Sequence, residues 1–216
     1  MKTTTKYIIG GLSTLFMVGI GIGFYINRKE ISILSKKATA LALAEFNEWN
    51  KGGVKRKEGD SSMYDKIKAY WNEGTDTFWS KTKMINEAWS AAFISYVMKK
   101  SGAGNDFKYS NSHSVYITDA IKNRKEQNKK KFKGYKPTEV KVEKGDLVCY
   151  ARQGDVDYDS TGAYISHCDL VVDVNNNKAT AIGGNVSNSV SKTIVALDQN
   201  NKIKDSKYFV VIKNKA

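Results

Sequence analysis

Apolar positions follow two regimes along the chain. As far as Glu126 they recur every three or four residues, and from Asp146 onward every second residue. Ile31–Trp49 carries Leu34, Ala38, Leu41, Phe46 and Trp49 at helical spacing and runs into Gly52–Gly53, which predicts a helix and its stop. Lys51–Ser62 is polar and contains glycine, so it reads as a loop. Met63–Trp71 predicts a second helix, with Ile67, Tyr70 and Trp71 on its apolar side. Asn86–Lys100 predicts a third, stopped at Gly102–Ala103–Gly104, and Val115–Glu126 a fourth. Asp146–Ala151, Cys168–Val174, Ala179–Ile182, Lys192–Leu197 and Tyr208–Lys213 alternate as strands. Turn-forming residues lie between them at Gly154–Gly162 and Asn175–Asn177. Helices first and antiparallel strands afterwards is the α+β pattern. No internal repeat is present.

One segment belongs to neither regime. Tyr7–Ile26 is twenty residues without a charge, flanked by Lys2 and Lys6 before and Arg28 and Lys29 after. As a helix rising ~1.5 Å per residue it matches a bilayer core of about 30 Å. The run is long for a cleaved signal, and no small-x-small site follows it. The expected organisation is therefore a membrane anchor over residues 1–30, one transmembrane helix, and a single α+β domain over 31–216. Its orientation is conflicted. Lys2, Lys6 and the amino terminus stand against Arg28, Lys29, Lys36 and Lys37, a count that slightly favours a cytoplasmic domain.

Composition narrows the chemistry. The 216 residues hold 35 Lys+Arg against 22 Asp+Glu, a net charge of +13, which fits an anionic partner or a solubilising surface. No zinc-finger spacing, RNA-recognition strand or heptad accompanies the charge, so no specific nucleic acid is expected. The densest basic run, Lys129 to Lys136, reads as a solvated loop. Two cysteines exclude a disulfide-dense scaffold, and two histidines without a second ligand cluster argue against a metal site. No cofactor is expected.

Three segments can carry chemistry. In the third helix Ser90, Phe93, Ile94 and Val97 form one stripe, which places Ser90 inward near the helix N-terminus, where the helix dipole favours developing negative charge. A small residue packed on a sheet would look the same. In Ser166-His167-Cys168-Asp169, alternation puts His167, Asp169 and Val171 on one face and Cys168 and Leu170 on the other. His167 can be a general base or an ordinary hydrogen-bonded residue, and Asp169 can tune it. In Ile182-Gly183-Gly184-Asn185-Val186 the glycines allow a sharp bend and close backbone approach, and Asn185 can orient an imidazole or simply make a turn. Cys149 lies on the first of these strands, next to the strand of Cys168. The pair can form a cross-strand disulfide in an exported domain or remain two buried thiols. His113, in Ser110-Asn111-Ser112-His113, can contact substrate, act as a second acid/base, or belong to a helix-capping segment.

Taken in order, W-S-A-A-F, G-D-L-V, S-H-C-D and I-G-G-N-V resemble the papain-like cell-wall amidase/endopeptidase superfamily of the NlpC and CHAP type. They resemble in particular a bacterial family of uncharacterised function that reads W-S-A-A-F-I-S where other branches read W-C-A-A-F. The resemblance spans roughly Leu41 to Leu197. It implies N-terminal helices packed on a small antiparallel sheet, with a nucleophile at Ser90, a base at His167 and an orienting Asn185. It also implies the peptide part of peptidoglycan as substrate, which places the domain on the outer, periplasmic or extracellular, side of the cytoplasmic membrane; Trp89, His113 and Asp169 are the residues expected to contact that substrate. The departure is Ser90 where the superfamily has cysteine. A thiol is readily drawn to thiolate by a neighbouring imidazolium, whereas a serine hydroxyl must lose its proton during attack. Two readings follow: a membrane-anchored peptidoglycan hydrolase working through serine, or an inactive peptidoglycan-binding or scaffold module on the same fold. A basic protein contacting anionic lipid or nucleic acid is a third.

Overall fold

The structure, a computed structural model, describes residues 32–215, and from Ser32 onward the chain forms one compact unit. Helix α1 spans Ile33–Trp49, α2 Tyr64–Thr75, α3 Lys81–Asn86, α4 Ser90–Ser101 and α5 His113–Lys125. Six strands follow: β1 Phe132–Tyr135, β2 Leu147–Ala151, β3 Ser166–Asn175, β4 Lys178–Gly183, β5 Ser191–Ala196 and β6 Tyr208–Asn214. They form one antiparallel sheet in the order β1-β6-β2-β3-β4-β5.

Local chemistry sets the helix ends. Ser32 caps α1, its Oγ accepting the Ser35 amide at 3.0 Å. Asn50 ends α1, and the left-handed Gly52 (φ 68°) turns the chain away. Gly102 (φ 91°) closes α4 in the same way. Helix α4 is buried on nearly every side, from Ser90, Ala91, Ala92 and Phe93 to Val97 and Met98. Such a helix can only be central, and it lies against α1, α2 and β3. Helix α1 buries the small residues Ala38 and Ala42. Trp89, just before α4, stacks between Trp49 (centroids 5.1 Å apart) and Tyr70 (5.6 Å). Glu45 is buried beneath them and is satisfied by Lys66 Nζ at 2.9 Å and the Tyr70 hydroxyl at 2.5 Å.

Gly74 sets the spacing between α2 and α4. A Cβ there would stand 2.7 Å from the Ala92 carbonyl oxygen and 2.8 Å from the Tyr96 nitrogen, both backbone atoms that cannot rotate away. Gly74→Ala is expected to destabilise the domain by about 1–3 kcal/mol. A lower urea midpoint at unchanged slope would report it, and an unaltered midpoint would show that α2 shifts freely.

The sheet is larger than the small one expected and is covered on both faces over its centre. Cys168, Leu170 and Val172 of β3 join the core shared with the helices. Val171 joins a second apolar cluster with Val148, Ala181, Val195, Leu197 and Val211. Strand β1 corrects the reading of the basic run as a solvated loop. Phe132 is buried, Lys133 pairs with Lys213, and Gly134 passes so close to α5 that a Cβ would lie 2.9 Å from Ile121 Cγ1. The expected fold is corrected at the membrane as well. Among the described residues no helix is long and apolar enough to cross a membrane. The stretch Tyr7–Ile26 lies outside the described residues.

Candidate active site

Ser90 is the first residue of α4, and the first intrahelical bond runs from the Phe93 amide to the Trp89 carbonyl at 2.9 Å. The amides of Ser90, Ala91 and Ala92 therefore point out of the helix end without an intrahelical acceptor. The Ser90 Oγ lies 2.7 Å from Nε2 of His113, the residue that opens α5. Two bonds fix this approach: Ser95 of α4 donates to the Ser110 carbonyl at 2.8 Å and accepts the Ser110 amide at 3.0 Å. The segment before His113 is thus tied to the helix that carries Ser90. On the other side of the ring, Nδ1 bonds the hydroxyl of Tyr116, one turn along α5. A neutral imidazole has one acceptor nitrogen. When Ser90 donates to Nε2, the ring proton sits on Nδ1 and is held by the Tyr116 oxygen.

The environment keeps both partners of that bond neutral. Burial is the main cause that pushes His113 well below the usual imidazole range, helped by the neighbouring His167 and the positive charge of Arg152. Burial, with the Asp169 carboxylate nearby, pushes the Tyr116 phenol well above its ordinary range.

His167 takes a different place from the one expected. Its Nε2 lies 2.7 Å from Asp169 Oδ1, and its Nδ1 lies 2.9 Å from an Arg152 guanidinium nitrogen. Arginine only donates, so Nδ1 accepts and Nε2 carries the proton to Asp169. Both ring nitrogens are taken, and neither meets Ser90. The two imidazoles are neighbours, with centroids 5.1 Å apart. The imidazole beside Ser90 is therefore that of His113, where the resemblance placed His167. Asn185 also stands apart from both rings. It sits in the turn after β4 in the left-handed region (φ 54°) and bonds neither imidazole. Trp89, expected at the substrate, is fully buried in the aromatic stack, with its Nε1 donating to Glu58 at 3.0 Å. Asp169, also expected at the substrate, is buried as the partner of His167, and its Oδ2 has no hydrogen-bond partner.

The paired glycines act through close approach. A Cβ on Gly183 would fall 1.9 Å from Asp169 Oδ1 and 2.9 Å from His167 Nε2. One on Gly184 would fall 2.5 Å from Phe93 Cβ. Neither glycine adopts positive φ. Cys149 and Cys168 stand directly opposite each other on β2 and β3 and are joined by a disulfide within the core. Among the described residues no group of three or more His, Cys, Asp or Glu is placed to hold a metal ion.

Two of the site's residues have a weak signal in sequence. His113 and Tyr116 stand at the i, i+3 spacing of a helix face, but the apolar pattern starts that helix at Val115 and leaves His113 outside it. Arg152, at the end of a strand, has no signal of its own.

Burial makes the His113 bond sensitive to pH. Between the folded and unfolded values of His113 the unfolded chain binds a proton that the folded chain refuses. Its contribution to stability is present above the ordinary value of 6.5 and is lost as pH falls through the folded value. Asp146 works in reverse. Burial, set against the pull of Lys213, pushes its carboxyl up to about 6, so its contribution is lost as pH rises from the ordinary 3.8 through about 6. Comparing the native chain with His113→Gln separates the two. Urea unfolding from about pH 7.5 to about pH 5.5 should show a smaller acid-side loss in the variant. Equal losses would remove the burial argument.

Similarity to known proteins is limited in reach. No solved structure matches the chain. Over 107 residues the chain is 26% identical to an endolysin of Bacillus phage PZA, a match that covers 50% of this chain and 39% of the endolysin's length. The family model described as "Uncharacterized protein conserved in bacteria (DUF2272)" matches residues 53–214, and the chain belongs to that family.

Proposed function

We propose that the domain hydrolyses an amide or peptide bond of peptidoglycan by acyl transfer, with Ser90 as nucleophile and His113 as general base on a papain-like scaffold. The observation that carries this reading is the 2.7 Å contact between Ser90 Oγ and His113 Nε2 at the N-terminus of α4. Ser90 Oγ attacks the carbonyl carbon while its proton passes to His113 Nε2. The oxyanion forms beside the open amides of Ser90 and Ala91, which need no rearrangement to donate to it. Collapse of the tetrahedral species expels the amine, which takes the proton from Nε2. Water then attacks the acyl-serine by the same proton route, releasing the acid and restoring Ser90. Tyr116 holds the ring in the tautomer that leaves Nε2 free to accept.

The endolysin similarity supports a cell-wall substrate, and the net charge of +13 suits an anionic polymer. The Cys149–Cys168 disulfide supports work in an oxidising compartment outside the cytoplasm. A second reading, a peptidoglycan-binding module without chemistry, draws on the depth of the pair: Ser90 is 4% and His113 5% exposed. Incubating the full chain with purified peptidoglycan separates the two readings. Hydrolysis releases new amines or soluble muropeptides, and Ser90→Ala abolishes them. Binding to peptidoglycan with no product, under conditions where the chain is folded, would favour the module and sink the hydrolase.

A further inference from the structure

Arg152 has no part in the acyl-transfer steps, yet it stands beside them. It follows β2 directly, and its amide donates to the Ile165 carbonyl at 3.0 Å, closing the base of the loop between β2 and β3. Its side chain is exposed, whereas the His167 ring it touches is fully buried. Arg152, His167 and Asp169 thus form a file that runs inward from the surface, joined through the two ring nitrogens of His167. Asp169 meets the ring from the nitrogen opposite Arg152, so it does not cover the outer face of the guanidinium.

Of the five N–H donors on Arg152, one is directed at His167, and the Tyr150 hydroxyl is a second neighbour. Among the described residues no carboxylate forms an ion pair with it. Other basic groups are matched: Arg124 with Glu139, Lys125 with Asp159, Lys99 with Asp76. Its charge reaches the Ser90 partner, since Arg152 is one of the groups that disfavour a protonated His113. The surroundings also offer apolar contact. Ile165 is 58% exposed, and Val115, two residues past His113, is 40% exposed.

We propose that Arg152 is a recognition point for a carboxylate of the substrate, so that the site selects acidic peptides whose free carboxylate lies next to the bond at Ser90. A planar guanidinium held from behind by His167 presents its remaining donors in the fork that matches a carboxylate. His167 and Asp169 then act as the rigid backing of that fork. This selectivity rests on the hydrolase reading for the bond that is cut, while the binding of a carboxylate does not.

The test uses two N-acetylated alanyl-γ-glutamyl-lysine peptides, identical except that one has a free glutamyl α-carboxylate and the other the carboxamide. Calorimetry with the full native chain should show the carboxylate peptide binding about tenfold or more tighter than the amide. Arg152→Gln should erase the difference, and Arg152→Lys should keep part of it. Arg152 donates to the buried His167 Nδ1, so thermal unfolding of both variants is measured in parallel and binding is compared at a temperature where each is folded. Equal binding of the two peptides to the native chain, binding of neither, or a preference that survives in Arg152→Gln overturns the proposal. Carboxylate preference with no cleavage of any peptidoglycan would overturn the hydrolase reading and leave this one standing. Cleavage indifferent to the carboxylate would do the opposite.

Discussion

Replacing His113 by glutamine should lower kcat/KM for peptidoglycan cleavage by about a thousandfold or more. Replacing His167 by glutamine should lower it at least tenfold less. The contrast follows from which imidazole meets Ser90. His113 Nε2 is 2.7 Å from Ser90 Oγ, while the nitrogens of His167 are held by Asp169 and Arg152. A serine has no thiolate to fall back on, so losing its base removes the means of deprotonation during attack. Tyr116→Phe keeps the ring in the core but removes the oxygen that holds Nδ1–H. It should lower kcat with little change in KM, because it acts through His113. The pH profile supplies an independent reading. A buried His113 stays neutral below the pH at which an exposed imidazole protonates, so the acid limb of kcat/KM should lie below about pH 6.5. Near-ultraviolet circular dichroism of each variant separates lost chemistry from lost structure. A dead His167→Gln beside an active, folded His113→Gln would return the base to His167.

Much of this fold is legible in the order of its periodicities. The helix and strand regimes are read correctly because each long element packs one apolar stripe or face, and burial is what the pattern records. Two short elements leave no such trace. Helix α3 has a single buried residue, Met84, and β1 has only Phe132 and Gly134 buried within a basic stretch. Six or four residues cannot establish a period. The site was legible in its residue types and less so in its pairings. Ser90 at a helix start and His167 with Asp169 on one strand face follow from helical and strand geometry. Which histidine meets Ser90 depends on how the chain between α4 and α5 returns, and that is set by Ser95 holding the Ser110 backbone. No local pattern encodes such a long-range tie. Trp89 illustrates a second ambiguity. An aromatic beside a nucleophile can line a cleft or fill a core, and only the presence of Trp49 and Tyr70 around it decides for the core.

Gly183→Ala should destabilise the domain by about 3 kcal/mol or more, near the upper end for overpacking. The added Cβ would fall 1.9 Å from Asp169 Oδ1 and 2.9 Å from His167 Nε2. Both groups are fully buried and hydrogen-bonded to each other, so neither can swing aside without leaving a polar atom unpaired in the interior. Strand β4 cannot retreat either, since Gly183 pairs with Ser191 on β5 and the preceding Ile182 with Leu170 on β3. The most severe part of the clash is with the Asp169 side chain, and a double-mutant cycle isolates that part. Asp169→Ala alone is destabilising, because it strands the His167 Nε2–H. In that background the Cβ at position 183 loses the carboxylate clash and keeps only the 2.9 Å approach to His167 Nε2, so the added cost of Gly183→Ala should fall by at least about 1 kcal/mol. Urea unfolding of the four chains gives the coupling directly. Additive costs would mean that the glycine serves the path of the chain toward Asn185, with the packed His167–Asp169 pair having no claim on it.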